Sequence, residues 1–461
     1  MSALLSLAFA VATQSATPAI KVPYEKITLK NGMKVILHVD KTLPVATINT
    51  WFYVGSKDEP ERRSGFAHLF EHLMFMGTKR VPNSQFDFIM EQAGGQNNAS
   101  TTEDRTNYYS FGPSNLLPKL LWLDADRLEG LSKDMNQQKL DLQRDVVKNE
   151  RRQNVENQPY GKAYEAINGL MFPKGHPYST SVIGSHEDLT AAAVSDVINF
   201  FDTFYVPNNA TLVVAGDFDK KKIMPLVNDL FGTLPRANDV SRKLVQPFTF
   251  KKTNVTMVDQ VSAKKTLMVW HSPAIGKAGF NEARIAASVL GDGLASRLQR
   301  EIVNKRGLAS EISAFHSDQY LGSLFYIDAT VADGKSQADL DKAIIATIKD
   351  FAKTGPTKDE LGRFVAKFEA QTASTLQSID QKADRMNYYE FYYGNPDYFQ
   401  KEIDAFKAIT PAAVAATVKR VLTEDRLTMH IIPESEPAET NPRDVEPGIE
   451  PAATFTTPKP A

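Results

Sequence analysis

The sequence contains no cysteine among its 461 residues. Disulfide bonds, thiolate metal ligands and cysteine nucleophiles are therefore excluded, and a transition-metal site would have to use histidine and carboxylate side chains. Net charge is also small, because 53 Lys and Arg oppose 55 Asp and Glu. A formal charge of −2 gives no electrostatic reason to expect nucleic acid or an anionic membrane as a partner.

The sequence also offers no stable membrane span. Residues 1–19 are small and apolar, but this run is too short to anchor the chain across a bilayer. Within it, Ala10-Val11-Ala12 matches the small-residue pattern of a signal-peptide cleavage site, although no basic residue precedes Lys21. We interpret residues 1–19 as a signal peptide, with a disordered N-terminal arm as the alternative, and therefore expect a periplasmic or secreted protein.

Histidine is scarce too, with eight residues, yet two of them lie in the segment from His68 to His72. This segment reads H-x-x-E-H, the inverse of the H-E-x-x-H motif of zinc proteases. Apolar and polar residues from Gly65 to Gly77 alternate with helical spacing, and Gly77 is the expected end of the helix. The pattern therefore predicts that the motif lies on a helix.

On a helix, this motif supplies the parts of a zinc hydrolase. Residues four apart face the same way, so His68 and His72 can bind one metal ion. Glu71 projects beside them and can accept a proton from water without being a ligand. The alternative is a pair of ordinary, partly buried histidines, because so short a match also arises by chance. The helical context and the apolar neighbours favour the metal site.

Two histidines leave a catalytic zinc ion one protein ligand short. Carboxylates that could supply the third ligand lie in or just beyond the segment Leu142–Arg152, a charged amphipathic stretch that we predict to be helical. Glu150 would face back to the motif helix. The pattern alone does not choose Glu150 over Asp145 or Glu156.

Taken together, these segments resemble the pitrilysin/insulinase-like zinc peptidases, the inverzincins of family M16. In size the chain is similar to their short two-domain branch, which includes the mitochondrial processing peptidase. The resemblance covers most of the chain and is carried by Gly65–Gly77, Gly94–Thr101, Leu121–Leu128, Asn149–Arg152, His176–Tyr178, Ile183–Gly184, Tyr205–Ala210 and Val214–Asp217. It implies that His68, His72 and Glu150 bind one Zn²⁺ per chain and that Glu71 is the general base.

One position close to this site departs from the family pattern. The family often has a second Glu two helical turns before the third ligand, where it supports the site from outside the ligand shell. This chain has Gln143 there. Because such groups tune the orientation and basicity of the ligands, we expect altered rather than absent activity.

The segment Gly94–Thr101 is turn-rich and then strand-like. A simple loop and strand is the alternative to a functional role. In the family the corresponding strand is a sheet edge beside the zinc, and an extended peptide substrate adds to it as a further strand. Asn98 and Ala99 match the family positions associated with this contact.

The family also uses an Arg and a Tyr from a non-catalytic half to stabilise the oxyanion. The matching segment, Glu301–Ser310, has Val303 and Ser310 at these two positions. The resemblance therefore implies a related partner subunit that carries the pair, unless the second half is merely structural. In another alignment register the pair would come from three candidates: Arg300, Arg306 and Tyr320.

Strand and helix signals divide the chain into two similar halves. Residues 26–29 and 34–37 flank Asn31-Gly32, a strong hairpin signal. A strand over residues 46–54 leads to the motif helix, helical segments are expected from there to about residue 205, and a strand over residues 210–216 follows. The plan then weakly repeats, with a strand at residues 266–270, a helix without histidine at residues 281–290 and a final strand at residues 427–432.

We therefore predict an α+β fold of two homologous α/β-roll halves. Each is a mostly antiparallel sheet packed with helices, and the resemblance implies that the halves form part of a clamshell chamber. The predicted units are a catalytic zinc-binding half (residues 20–235), a polar and basic linker (residues 236–254) and a non-catalytic half (residues 255–435). Residues 436–461 are rich in Pro, Glu and Thr and are expected to be disordered.

The expected function is zinc-dependent endopeptidase activity on short or unfolded polypeptides, by the metal-bearing subunit of a heterodimer. The alternative is a chaperone-like subunit that binds zinc and peptide but does not turn over alone. The complete H-x-x-E-H motif favours the enzyme. The missing Arg/Tyr pair and Gln143 favour the alternative.

Overall fold

The computed structural model describes residues 19–434. The tail predicted over residues 436–461, and all but the last residue of the predicted leader, lie outside the described residues. The strands are β1 Glu25–Thr28, β2 Lys34–Val39, β3 Val45–Phe52, β4 Gln96–Thr101, β5 Thr106–Pro113, β6 Ala210–Gly216, β7 Thr253–Asp259, β8 Lys265–Ser272, β9 Ala309–His316, β10 Ser323–Val331 and β11 Leu427–Pro433. The α-helices are α1 Phe66–Leu73, α2 Gln85–Gln92, α3 Leu117–Gly130, α4 Gln137–Arg151, α5 Gly161–Met171, α6 His186–Thr190, α7 Val194–Phe204, α8 Lys220–Phe231, α9 Phe280–Gly291, α10 Gln337–Thr354, α11 Lys358–Gln377, α12 Ile379–Tyr393, α13 Phe399–Lys407 and α14 Pro411–Val421.

The first sheet has the strand order β1-β2-β6-β3-β5-β4. Neighbouring strands are antiparallel except β2 and β6, which are parallel. The predicted hairpin is confirmed, since β1 and β2 pair with Glu25 opposite Leu37. Gly32 turns the chain between them with a φ of 91°, a left-handed conformation that glycine adopts without steric cost.

The second sheet repeats this plan in the order β7-β11-β8-β10-β9. Its parallel pair, β7 and β11, corresponds to β2 and β6, and its other neighbours are antiparallel. The predicted counterpart strand, counterpart helix and final strand are confirmed as β8, α9 and β11. The described residues thus form two mostly antiparallel sheets packed with helices, as the sequence predicts.

Two details of the first half differ from the prediction. Strand β5 lies where helices were expected, and it joins the edge strand β4 to β3. The missed signal was its content of Thr, Tyr and Phe, residues that favour strands. The motif helix α1 also ends at Leu73 rather than near Gly77. Gly77, with a φ of 71°, lies in a turn that pairs with Pro82.

Each half covers one face of the other half's sheet. Successive strand residues point to opposite faces. One face of the first sheet packs on α1 and α3. Its other face packs on helix α12 of the second half, through Ile36, Val213, Ala215, Ala383 and Met386. In return, α5 of the first half packs on the second sheet, through Ala163, Ile167, Leu267, Val269 and Met429.

The connection between the halves follows the surface of the first half. Residues 235–252, all of them described, form neither helix nor strand. Arg242 donates to Asp58 at 2.8 Å, and Lys243 donates to the carbonyl oxygen of Glu59 at 2.5 Å. The limits that the sequence suggests for the two domains and for the linker remain predictions. Within residues 19–434, no helix has the length and apolar character required to cross a bilayer.

Candidate active site

Helix α1 carries the H-x-x-E-H motif and is fixed at its N-terminus by Glu59. The Glu59 carboxylate accepts from the backbone N–H groups of Gly65 at 3.2 Å and Ala67 at 2.9 Å. The first N–H groups of a helix have no partner within the helix, so this side chain satisfies them. Burial raises the pKa of Glu59 well above its ordinary value, whereas these two hydrogen bonds act in the opposite direction. Sequence analysis missed this role, because nothing in the local pattern marks Glu59.

Gly65 allows the chain to enter α1 close to a neighbouring loop. Its φ is 86°, and a Cβ atom there would lie 2.7 Å from the carbonyl oxygen of Ile183. Only glycine fits so close an approach in the left-handed region. The Ile183-Gly184 segment, one of those that carry the family resemblance, therefore lies directly against the start of the motif helix.

The structure brings together the three side chains predicted to bind zinc. Ligand atoms of His68, His72 and Glu150 all lie within 4.8 Å of one another, the one such group of three found among residues 19–434. Glu150 Oε2 lies 3.2 Å from Nε2 of His72 and 3.7 Å from Nε2 of His68. Ligands held about 2.0–2.1 Å from a tetrahedral zinc ion lie roughly 3.3 Å apart. The spacing of this donor set therefore fits zinc.

The electrostatics of the cluster suit a cation. Burial, and then the neighbouring His72 ring, lowers the pKa of His68 to about 4, so this imidazole is neutral at neutral pH. The hydrogen bond with His72 is the main cause that lowers the pKa of Glu150. Neutral imidazole and ionised carboxylate are the forms that bind metals. Nδ1 of His68 is buried and has no hydrogen-bond partner among the described residues.

The alternatives to Glu150 lie elsewhere. Glu156 accepts a hydrogen bond from His186 at 2.6 Å and forms an ion pair with Arg151 at 3.3 Å, and Asp145 is exposed on α4. Glu150 occupies the last turn of α4, where Asn154 donates to its Oε1 at 3.3 Å.

The end of α4 is anchored to α5. Arg151 pairs with Glu165 through both of its terminal nitrogens and donates to the carbonyl oxygen of Gly184 at 2.7 Å. A π-helical turn, Arg152–Glu156, follows, and such turns are frequent at functional sites. These contacts fix the residue next to the third predicted ligand.

Glu71 lies beside the candidate metal ligands and contacts the edge strand. Thr101, the last residue of β4, donates its hydroxyl to Glu71 Oε2 at 2.6 Å. Burial raises the pKa of Glu71, against the effects of the Thr101 hydrogen bond and of His72. A carboxylate with a raised pKa is a better proton acceptor in catalysis. The Thr101 contact is a further feature that sequence analysis did not identify.

Strand β4 is the edge of the first sheet, as expected. Ala99 directs its side chain into the core and is only 9% exposed. Its backbone N–H donates to the side-chain oxygen of Asn98 at 2.8 Å. The structure thus places the two predicted substrate contacts on an edge strand that is linked to Glu71 through Thr101.

Gln143 contacts the far end of the motif helix. Its side-chain nitrogen donates to the sulfur of Met76 at 2.8 Å, three residues beyond the end of α1. This hydrogen bond goes to Met76 rather than to a predicted zinc ligand. Its predicted support of the ligands remains a prediction.

The second half provides neither residue of the expected oxyanion pair at the aligned positions. Val303 lies in a π-helical turn and Ser310 is exposed on β9. Arg300 pairs with Glu360 at 3.6 Å.

The other two candidates also lie away from the described contacts of Glu71. Arg306 is exposed. The backbone N–H of Tyr320 donates to Asp104 at 2.8 Å, and its ring packs on Phe391. His68, His72, Glu71 and Glu150 have the side-chain partners described above. All of these partners belong to the first half.

Comparison with known proteins identifies the family. The profile described as Insulinase (Peptidase family M16) matches residues 34–174, which include the motif and Glu150. The profile described as Peptidase M16 inactive domain matches residues 192–368. The chain belongs to the M16, insulinase-like, peptidase family. The inactive-domain match covers much of the half that has no histidine in its counterpart helix.

Named relatives of this M16 chain are proteases. Zinc protease PqqE of Helicobacter pylori is 28% identical over 387 residues, which are 82% of this chain and 85% of the relative. The mitochondrial-processing peptidase subunit beta of Blastocladiella emersonii is 26% identical and is covered to 80%, as is this chain. These names place the chain among the hydrolases of the family.

Solved structures confirm the two-domain M16-like fold. The crystal structure of a protease from Helicobacter pylori superposes with a TM-score of 0.81 at 25% identity, covering 89% of this chain and 99% of that one. The periplasmic protease PqqL from Escherichia coli matches with a TM-score of 0.73 at 17% identity. That match covers 91% of this chain but only 48% of PqqL, so the PqqL chain is about twice as long as the unit described here.

Proposed function

We propose that this M16 chain is a zinc-dependent endopeptidase that hydrolyses short or unfolded polypeptides. The observation that carries the proposal is the convergence of His68, His72 and Glu150 beside Glu71, itself hydrogen-bonded to the edge strand. Two imidazoles, one carboxylate and a nearby carboxylate base form the donor set of a catalytic zinc centre, which keeps one coordination position open.

The three ligands would hold one zinc ion through the two Nε2 atoms and Glu150 Oε2. When bound, zinc would supply Lewis-acid activation of a water molecule and of the scissile carbonyl group. Glu71 accepts the proton of the attacking water and passes it to the leaving amine. The hydroxyl of Thr101 orients the Glu71 carboxylate for this transfer through its hydrogen bond.

The substrate would bind as an additional strand along β4. Main-chain hydrogen bonds to an edge strand give affinity that depends little on sequence, which suits unfolded polypeptides. A peptide that pairs with the N–H group of Ala99 has to displace the Asn98 side chain, which accepts from it. Asn98 would then be free to bind the substrate.

We further propose that the chain acts as the metal-bearing subunit of a heterodimer. Support comes from Val303 and Ser310, which replace the expected oxyanion donors, and from a relative whose name describes it as a subunit. The partner would be a related chain that carries an Arg and a Tyr at these positions. The alternative, a zinc- and peptide-binding subunit without turnover of its own, rests on the same two substitutions.

Export to the periplasm or secretion is also proposed. Its support is the Ala10-Val11-Ala12 pattern and the match to a solved structure described as a periplasmic protease. Expression of the full gene in its host followed by cell fractionation tests this. Recovery of the chain only in the cytoplasm would contradict it.

The peptidase proposal is tested by Glu71→Gln. Gln keeps the shape and hydrogen bonding of Glu but does not accept a proton at neutral pH. We expect the variant to retain zinc and fold, while cleavage of an unfolded peptide falls by about 10²–10⁴-fold. Glu129→Gln is the matched control, because Glu129 pairs with Arg80 on the surface. This variant should cleave the peptide at the normal rate. Normal turnover by Glu71→Gln would contradict the assignment.

A further inference from the structure

Helix α12 of the second half contacts the first sheet through one carboxylate oxygen that accepts three hydrogen bonds. Asp384 Oδ1 accepts from Asn49 at 3.1 Å, from the Trp51 indole at 2.9 Å and from Asn107 at 3.0 Å. Asn49 and Trp51 lie on β3 and Asn107 on β5. A single residue of the non-catalytic half therefore joins the two strands that connect the edge strand to the rest of the sheet.

The hydrogen bonds continue from Asn107 to the edge strand. The side-chain oxygen of Asn107 accepts from the Ser100 hydroxyl at 2.7 Å and from Arg105 at 3.2 Å. Arg105 also donates to the backbone carbonyl oxygen of Ser100 at 2.8 Å, and its guanidinium lies 4.9 Å from the centre of the Trp51 ring. Asn107, which contacts Asp384, thus holds the side chain of Ser100, and Arg105, which contacts Asn107 and Trp51, holds its backbone.

The last contact is with the proposed general base. Ser100 precedes Thr101, whose hydroxyl donates to Glu71. An edge strand is paired on one side only. Side-chain contacts therefore contribute more to the order of an edge strand than to the order of an inner strand. The network from Asp384 ends at the two features that the proposed reaction needs, the free edge of β4 and the orientation of Glu71.

We propose that Asp384 is a positioning residue through which the second half holds the edge strand β4 in its peptide-binding conformation. This inference rests on the proposed function and goes beyond it, because it gives the half without metal ligands a role inside a single chain. Loss of the Asp384 oxygen would remove an acceptor from three donors, of which Asn107 keeps a weaker hydrogen bond to Asn49 at 3.4 Å, and buried donors that lose their partners are costly. The strand nearest the substrate would then lose order while the metal-binding group stays intact.

The test compares three variants of the full chain. Asp384→Ala removes the acceptor. Asp384→Asn keeps an oxygen at the position of Oδ1 and should therefore retain most of the peptide binding and of the order of β4. Glu390→Ala is the matched control: Glu390 lies on the same helix, but accepts from Lys26 and Lys34 at 2.9 Å, on strands remote from β4. Glu390→Ala therefore weakens the contact of α12 with the first sheet without removing any hydrogen bond of the network from Asp384 to β4.

Two measurements read out the effect. Each variant is placed on a Glu71→Gln background, and the binding of a fluorescent unfolded peptide to the zinc-loaded protein is titrated. Hydrogen exchange of the β4 amides is followed in parallel. We expect Asp384→Ala to weaken peptide binding and to speed β4 exchange by about tenfold each, which corresponds to about 1.4 kcal/mol. Zinc content should not change, and Asp384→Asn and Glu390→Ala should stay within about twofold of the background for β4 exchange.

The outcomes separate this inference from the proposed function. Equal β4 exchange in Asp384→Ala and Glu390→Ala would overturn the inference, as would failure of Asp384→Asn to rescue. Absence of peptide binding to the Glu71→Gln background would instead contradict the proposed function, and the exchange measurement would still decide the role of Asp384. If Asp384→Ala does not fold, Ser100→Ala cuts the outer link with a small change. Faster β4 exchange in that variant supports the proposal and unchanged exchange refutes it.

Discussion

At the scale of single residues, environment gives chemically identical side chains different roles. Glu59 is buried and binds the backbone at the start of α1, Glu71 faces Thr101, Glu150 faces two histidines and Glu156 pairs with His186. The pattern of charges does not separate Glu150 from Glu156, because both carboxylates lie in or next to the same charged stretch. The resemblance, rather than the spacing of charges, selected Glu150 in advance.

These environments predict which residues hold zinc. His68→Ala or His72→Ala should remove most of the metal, and Glu150→Gln should weaken zinc binding, because each loses one of three protein ligands. Metal analysis of the purified variants measures this against about one zinc per wild-type chain. His430→Ala is the control, since His430 pairs with Asp341 in the second half at 2.7 Å. Full zinc retention in both motif variants would show that the metal binds elsewhere.

At the scale of secondary-structure elements, the sequence predicts those whose pattern is local. The first hairpin, the motif helix and its counterpart α9 follow from turn residues and from helical spacing. Strand β5 was missed although its Thr, Tyr and Phe residues favour strands. It pairs with β4, which ends only four residues before it, and with β3, which is more than 50 residues away in the chain. The contacts of Asp384 are tertiary and leave no mark in the local sequence. Those of Glu59 reach only six and eight residues along the chain, but they follow no capping motif that the sequence displays.

The start of the motif helix gives a prediction at this scale. Glu59→Ala should lower the free energy of unfolding by about 1–3 kcal/mol for each of the two N–H groups left without a partner. The substitution should also weaken zinc binding. Glu59 accepts a hydrogen bond from the backbone N–H of Ala67, and His68 is the next residue. Glu59→Gln, which keeps one acceptor oxygen, should lose less. Chemical denaturation with a zinc titration measures both, and unchanged stability in Glu59→Ala would show that water replaces the carboxylate.

At the scale of the whole molecule, each half contributes one helix that packs on the sheet of the other half, α5 on the second sheet and α12 on the first. Composition and length predict two units, and the weak repeat predicts their similarity, but neither reveals that α5 and α12 each cover the other half's sheet. That exchange is long-range packing between residues that lie about a hundred or more positions apart in the chain. It places α12 of the second half against the face of the first sheet opposite to the motif helix α1.

The exchange predicts that the halves stay together when the connection is cut. A protease site inserted after Leu244, which is 87% exposed, should be cleaved without separating the fragments. Each fragment would otherwise expose the apolar sheet face that the other covers, and burial of such a face is strongly favourable. Size-exclusion chromatography of the cleaved and the uncut protein measures this. Two separate peaks would contradict the packing described here.

The proposed heterodimer predicts slow cleavage by the chain alone. One oxyanion donor contributes roughly 2.7–4 kcal/mol of transition-state stabilisation, so adding a related chain with the Arg/Tyr pair should raise the rate by orders of magnitude. The same partner with its Tyr changed to Phe should raise it far less. A homodimer with full activity would refute the heterodimer and favour a self-sufficient enzyme.

The central claim is that His68, His72 and Glu150 hold the zinc ion that peptide hydrolysis requires. It is tested most directly by titrating zinc into metal-free protein, with its partner present, while the hydrolysis of an unfolded peptide is recorded. We predict that the rate rises linearly and reaches a plateau at about one zinc per chain of this protein, and that His72→Ala shows no such rise. Full hydrolysis by the metal-free protein, or an equal rise in His72→Ala, would contradict the claim.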